Sequence, residues 1–203
     1  MPQPNRRPLS SRDTAWARAL SSYLVARKVS PNAISTVGMI FATLGAVCYA
    51  ATPHLGAFWW VLLLGGVAGV QLRLVCNLMD GLVAVEGGLK SRGGDLFNEA
   101  PDRYEDIVLL AGAGYAAGAP VLGWCAACAA VLTAYARAFG ASLGHGQDFC
   151  GPLAKQHRMF VLTVGTLAAI FYGPALAWAL WVIALGTFFT AIRRVLRLYS
   201  KLP

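Results

Sequence analysis

Asn77, Asp80 and Ala84 stand at i, i+3 and i+7, and Asp95, Asn98 and Asp102 repeat that spacing further along the chain. On a helix each trio falls on one stripe. A short basic, glycine-rich stretch, VEGGLKSRGG (85–94), joins the two and should hold them antiparallel, so that oxygen ligands from both stripes converge. Hard oxygen donors of this kind suit Mg²⁺, Mn²⁺ or Ca²⁺ and do not suit zinc. Gly81 and Gly94 would let a phosphate-bearing ligand reach the backbone. Pro101 lacks an N–H, which frees the Phe97 carbonyl and predicts a bend between Asn98 and Asp102. The plainer account of the same acids is a solvated interface in which Asp102 pairs with Arg103 or Lys90.

The elements that must position these residues are apolar. The chain has 203 residues, 57% hydrophobic and only 13% charged, with a mean hydropathy of +0.57. Soluble domains carry about 25% charged residues, so the composition points to a membrane protein. Six runs are long enough or nearly so for a bilayer helix of about 20 residues. They lie near 33–51, 57–83, 95–117, 120–142, 158–172 and 175–195. The breaks ATPHLG, GAP and YGP hold turn formers and no Lys or Arg. The opposite side carries Arg6, Arg7, Arg12, Arg18, Arg27 and Lys28, then Lys90 and Arg92. It continues with Lys155 and Arg158, and ends with Arg193, Arg194, Arg197 and Lys201. The positive-inside bias puts both termini and the polar window in the cytoplasm.

Ahead of the first run, Asp13 or Thr14 can cap a helix on which Trp16, Leu20, Tyr23, Leu24 and Arg27 share a face. That pattern suits a helix in the headgroup layer or a structural collar. The net charge of +8 matches a positive cytoplasmic face, and no basic stretch interleaved with aromatics offers a nucleic-acid surface. The five cysteines form no disulfide framework, and Cys125-x-x-Cys128 lacks the further ligands of a zinc site. No apolar core follows the basic start, so no cleaved signal peptide is expected. Gly65-x-x-x-Gly69 and Gly114-x-x-x-Gly118 permit close helix contacts.

The window resembles the signature of the CDP-alcohol phosphatidyltransferase family, D-x2-D-G-x2-A-R-x8-G-x3-D-x3-D. It fits Asn77, Asp80, Gly81, Ala84, Val85, Gly94, Asn98 and Asp102 at every spacing. SPNAIST (30–36) is similar to the T-P-N-x-x-T opening of that family's first span. Asn77 and Asn98 replace two aspartates, and Val85 replaces the arginine, whose charge Arg73, Lys90 or Arg92 could supply. Asp95 could restore one negative charge.

The resemblance implies an all-α, integral membrane bundle of six transmembrane helices with an N-terminal interfacial amphipathic helix. Residues 1–30 would form the cytoplasmic N-terminal segment and 31–203 the membrane domain, in the inner or plasma membrane of a bacterium. It implies transfer of a phosphatidyl group from CDP-diacylglycerol, or a related CDP-alcohol, to a hydroxyl acceptor with release of CMP. Mg²⁺ or Mn²⁺ would sit on Asn77, Asp80, Asn98 and Asp102, with Asp102 as general base. The diphosphate would lie on Asp80, Gly81, Ala84, Gly94 and Asn98. Arg137, Lys155 and Arg158 would face an acceptor or lipid phosphate, and Asp148 could pair with that basic group. Arg193, Arg194 and Arg197 are expected at headgroups. A homodimer is compatible with the small-residue faces. Two other classes compete: a catalytically weak relative that binds a CDP-lipid or regulates a partner enzyme, and a small transporter or scaffold. The second of these would need an inverted repeat, and the sequence shows none.

Overall fold

The computed structural model describes residues 14–88 and 94–202, and all regular structure among them is helical. α1 spans Ala15–Ala26, α2 Pro31–Ala51, α3 Trp59–Glu86, α4 Gly94–Ala116, α5 Pro120–Ser142, α6 Lys155–Ala169 and α7 Ala175–Tyr199. The six apolar runs read from the sequence each become one helix. Among the described residues four helices are long and apolar enough to cross a membrane: α2 with its short extension, α3 with the turn before it, α5 and α7. α4 carries acids along its first half, and α6 has 15 residues.

Local chemistry sets where these helices begin. Ser30 caps α2, its hydroxyl accepting from the Ala33 N–H at 3.2 Å, and Pro31 fills the first turn, where no N–H is needed. Pro120 opens α5 in the same way, after a turn at Gly118 with φ +66°. α4 runs through Pro101 without interruption. α6 starts at Lys155, three residues ahead of the run read from the sequence, so Lys155 and Arg158 both lie in its first turn.

α2 packs along α3 and α4, α5 lies between α4 and α7, and α6 rests on α7 and α3. Glycines let these backbones touch. A Cβ on Gly69 would come 2.6 Å from the Gly45 Cα, and one on Gly114 would come 2.7 Å from the Gly123 Cα. Gly65, Gly69 and Gly114 of the two G-x-x-x-G stretches therefore serve contacts within the chain, whereas Gly118 meets open space and makes the turn before α5. The apolar core fills around Tyr49, Leu109, Leu162 and Leu180, and the Tyr49 hydroxyl meets the Thr166 hydroxyl at 2.9 Å, tying α2 to α6. Large apolar side chains such as Phe171 (91% exposed), Val121, Trp178 and Leu185 cover the outside, as a lipid-facing surface requires.

α1 docks on α3 through Ala17, Leu20, Ser21 and Leu24, and the Ser21 hydroxyl donates to Glu86. Trp16 and Tyr23 point away from the bundle, each about half exposed. The face read from the sequence is thus split: Leu20 and Leu24 meet protein, whereas Trp16 and Tyr23 remain free. Thr14 occupies the N-cap position, and Asp13 lies outside the described residues.

Candidate active site

α3 and α4 carry the two halves of the polar window, and a direct contact joins them. Asn77 donates one amide hydrogen to Asp102 Oδ1 at 2.8 Å and the other to Glu105 Oε2 at 3.0 Å. Lys155 from α6 donates to the same Asp102 oxygen, and Arg103 approaches Asp102 Oδ2 at 3.4 Å. One turn further along α3, Asp80 is buried, and one of its oxygens accepts from Ser35 at 2.7 Å. Ser35 belongs to SPNAIST, so that stretch reaches the site through its serine hydroxyl. The other Asp80 oxygen, Oδ1, is buried without a partner.

Beneath Asn77 the network continues into the bundle. Arg73 donates to Glu105 Oε2 at 2.8 Å and to Asp106 Oδ1 at 2.6 Å. Arg158 donates to Asp106 Oδ2 at 2.6 Å and to the Leu153 carbonyl at 3.1 Å. Arg73, Glu105, Asp106 and Arg158 are all buried. Charges in a membrane bundle persist when they face inward and pair with one another. The carboxylates Asp80, Asp102, Glu105 and Asp106 are matched one for one by the cations Arg73, Arg103, Lys155 and Arg158, so the charges of this cluster balance.

The expected acceptor residues all meet carboxylates of α4. Lys155 takes Asp102 and Arg158 takes Asp106, while Arg137 grips both oxygens of Glu99 at 2.6 Å, reaches Gln147 at 3.2 Å and lies over the Phe149 ring. Arg137 also lines a cleft between α5 and α7 with His145, Asp148, Arg194 and Lys201. Arg194 is buried there and donates to the Cys150 and Thr133 carbonyls at 2.9 Å, so the headgroup contact expected of it is not made. Asp148 pairs with Arg197 at 3.4 Å and not with Arg137. Burial pushes the Asp148 carboxyl up, but the Cys150 N–H and thiol and the Arg197 guanidinium outweigh that and hold it below its usual range.

Gly81 has open space where a Cβ would stand, Ala84 is half-buried, and Val85 is 51% exposed. Arg73 is committed to two carboxylates, so it does not stand free to replace the signature arginine. Lys90 and Arg92 lie outside the described residues, as do the side chains of Gly94, Asp95 and Asn98, although the backbone of these last three belongs to α4. Sequence reasoning passed over Glu99, Glu105, Asp106 and Ser35. The usable signal was that Glu105 and Asp106 lie three and four residues past Asp102, on the same stripe of an otherwise apolar helix.

The donor set fits a hard divalent cation. Asp80 Oδ1 is a buried oxygen with no partner, as is Glu105 Oε1. Among the described residues no three His, Cys, Asp or Glu side chains stand close enough to hold an ion by themselves. Asparagine carbonyl oxygens would have to complete the shell.

No family model matches the chain. It is 28% identical over 193 residues to the phosphatidylinositol phosphate synthase of Streptomyces avermitilis, covering 86% of this chain and 74% of the relative. Its fold matches that of the Mycobacterium tuberculosis phosphatidylinositol phosphate synthase with CDP-DAG bound. The TM-score is 0.77 at 17% identity, over 90% of this chain and 92% of that one. The same enzyme in complex with manganese and citrate matches with TM-score 0.77 at 17% identity, over 90% and 88%. The sequence relative and the shared fold both support the resemblance to the CDP-alcohol phosphatidyltransferases that the signature at Asn77–Asp102 first carried.

Proposed function

We propose that the protein transfers a phosphatidyl group from CDP-diacylglycerol, or a related CDP-alcohol, to a hydroxyl acceptor and releases CMP. The observation that carries this reading is the Asn77–Asp102 hydrogen bond, which brings together the two halves of the signature from different helices. The sequence relative is a phosphatidylinositol phosphate synthase, and the solved structures of such an enzyme hold CDP-DAG in one case and manganese in another.

The donor's diphosphate would enter beside Gly81, where the open space admits it, and near Ala84, Gly94 and Asn98. Asp80, Asn77, Asn98 and Asp102 would hold Mg²⁺ or Mn²⁺. When bound, such an ion neutralises diphosphate charge and stabilises the leaving CMP. The acceptor oxygen forms a bond to the phosphorus that bears diacylglycerol while the bond from that phosphorus to the CMP oxygen breaks. Asp102 takes the acceptor proton. Lys155 donates to its Oδ1, and Arg103 lies 3.4 Å from its Oδ2. Lys155 also places positive charge next to the transferring group. Arg137 would orient the acceptor from the α5–α7 side, and Arg158 acts through Asp106.

A second reading has its own observation. Asn77 and Lys155 both occupy Asp102 Oδ1, which suits a catalytically weak relative that binds a CDP-lipid or regulates a partner enzyme. Purified protein with CDP-diacylglycerol, Mg²⁺ or Mn²⁺ and a panel of alcohols separates the two. Metal-dependent CMP release, lost in Asp102→Ala, is the expected result. No CMP above background with any acceptor defeats the enzymatic reading.

For the molecule in its membrane, the reading is six crossing helices, α2 to α7, in a bacterial inner membrane. Residues 1–30 would form the interfacial segment and 31–203 the catalytic domain. Both termini and the site would face the cytoplasm, and a homodimer is compatible with the exposed apolar faces. The Lys and Arg distribution supports this orientation.

A further inference from the structure

Asn77 faces two carboxylates at once, and that fixes which way its amide turns. Its nitrogen must point at Asp102 Oδ1 and Glu105 Oε2, because a carbonyl oxygen at 2.8 and 3.0 Å from these atoms would be repelled. Both amide hydrogens are then spent, and only the carbonyl oxygen is left to offer. Glu105 is fully buried on α4, held by Arg73 on the oxygen that Asn77 also uses. Its other oxygen has no partner. Gly38 of α2 makes room for that oxygen, since a Cβ there would come within 2.9 Å of it.

We propose that Asn77 and Glu105 are a displaced charge pair. Glu105 carries, one helical turn further into α4, the carboxylate charge that the family signature has at the position of Asn77. It thereby acts as a positioning residue that holds the Asn77 carbonyl oxygen toward the cation. The inference rests on the metal-dependent reading of this site given above.

The reason is electrostatic. An aspartate at position 77 would set one carboxylate within hydrogen-bond distance of two others with no donor hydrogen left between them, so that oxygen faces oxygen where two hydrogen bonds now stand. Asn77→Asp alone is therefore harmful here, although it restores the signature. With Glu105→Gln added, the hydrogen bond between the positions survives with donor and acceptor exchanged. The amide nitrogen then stands where Oε2 was, so Arg73 gives up that acceptor and keeps Asp106.

The test is a double-mutant cycle on the full chain in detergent, read by thermal unfolding without metal and by Mn²⁺ affinity from electron paramagnetic resonance. Each single variant is expected to unfold at lower temperature and to lose about tenfold to a hundredfold in Mn²⁺ affinity, the range for disturbed ligand support. The double variant is expected to recover part of both losses, so that it falls clearly short of their sum, because Arg73 still gives up its contact at position 105. Losses in the double variant that simply add, or an Asn77→Asp variant equal to or better than the parent, overturn the proposal. So does a double variant that fails to accumulate in membranes while either single one does. Asn77→Ser, which adds no charge, is a further probe if Asn77→Asp does not fold, and unchanged Mn²⁺ affinity in it overturns the proposal. Absence of CMP release by the parent would count against the proposed activity alone, because the unfolding cycle still reports whether the two positions are coupled.

Discussion

Asp106 is the residue on which two guanidiniums depend. Each of its oxygens accepts one hydrogen bond at 2.6 Å, from Arg73 on α3 and from Arg158 on α6, and none of the three side chains is more than slightly exposed. Removing one partner of a buried pair leaves a charge without compensation, at a cost of about 3–5 kcal/mol. Asp106→Asn is expected to lower the detergent-solubilised protein's unfolding temperature more strongly than Asp148→Asn, whose pair with Arg197 is partly exposed. Equal effects in differential scanning fluorimetry would contradict this account. The spacing of acids and asparagines at Asn77, Asp80 and Asp102 was readable in the chain because a helix has a fixed period. The partners of Arg73 and Arg158 were not readable. They sit on a helix about thirty to fifty residues away, and only packing decides which charge meets which.

The helices themselves were legible almost to their ends, since long apolar runs punctuated by Gly and Pro leave few alternatives. What the pattern could not give was the rotation of each helix. The apolar stripe of α1 faces protein at Leu20 and Leu24 but leaves Trp16 and Tyr23 outside. Arg194, grouped in the sequence with the exposed Arg193 and Arg197, turns inward to backbone carbonyls. Glycines report rotation more directly. Gly69→Ala on α3 would press a methyl group into the α2 backbone at Gly45 and Phe41, so the helices must part. Overpacking of this kind costs about 1–3 kcal/mol. Gly81→Ala, on the same helix, meets open space and removes a poor helix former. Its unfolding temperature should be unchanged or higher, while its KM for the CDP-lipid rises, because the methyl group takes room proposed for the diphosphate. A Gly81→Ala enzyme with unaltered KM would remove the phosphate from that position.

At the scale of the whole molecule, the apolar exterior and the buried polar cluster divide the chain between two solvents. The charges cluster where α2, α3, α4 and α6 meet, and the outer faces are left to lipid. The cationic residues on one side of the spans support the proposed placement of both ends of the chain in the cytoplasm. Reporter fusions at each terminus are expected to give cytoplasmic signals, and a periplasmic signal from either would break the six-crossing arrangement.

The order of the helices along the chain also gives the charge network a history. Arg73 is made with α3, Glu105 and Asp106 follow with α4, and Lys155 and Arg158 arrive only with α6. The signature is complete once Asp102 has been synthesised, yet the nascent protein still lacks two of the cations that balance it. Until α6 has docked, the growing bundle holds Asp102 without its lysine and Asp106 with one arginine in place of two. Biosynthesis thus has a built-in mark of completion, since the charges balance only when the last contributing helix has docked.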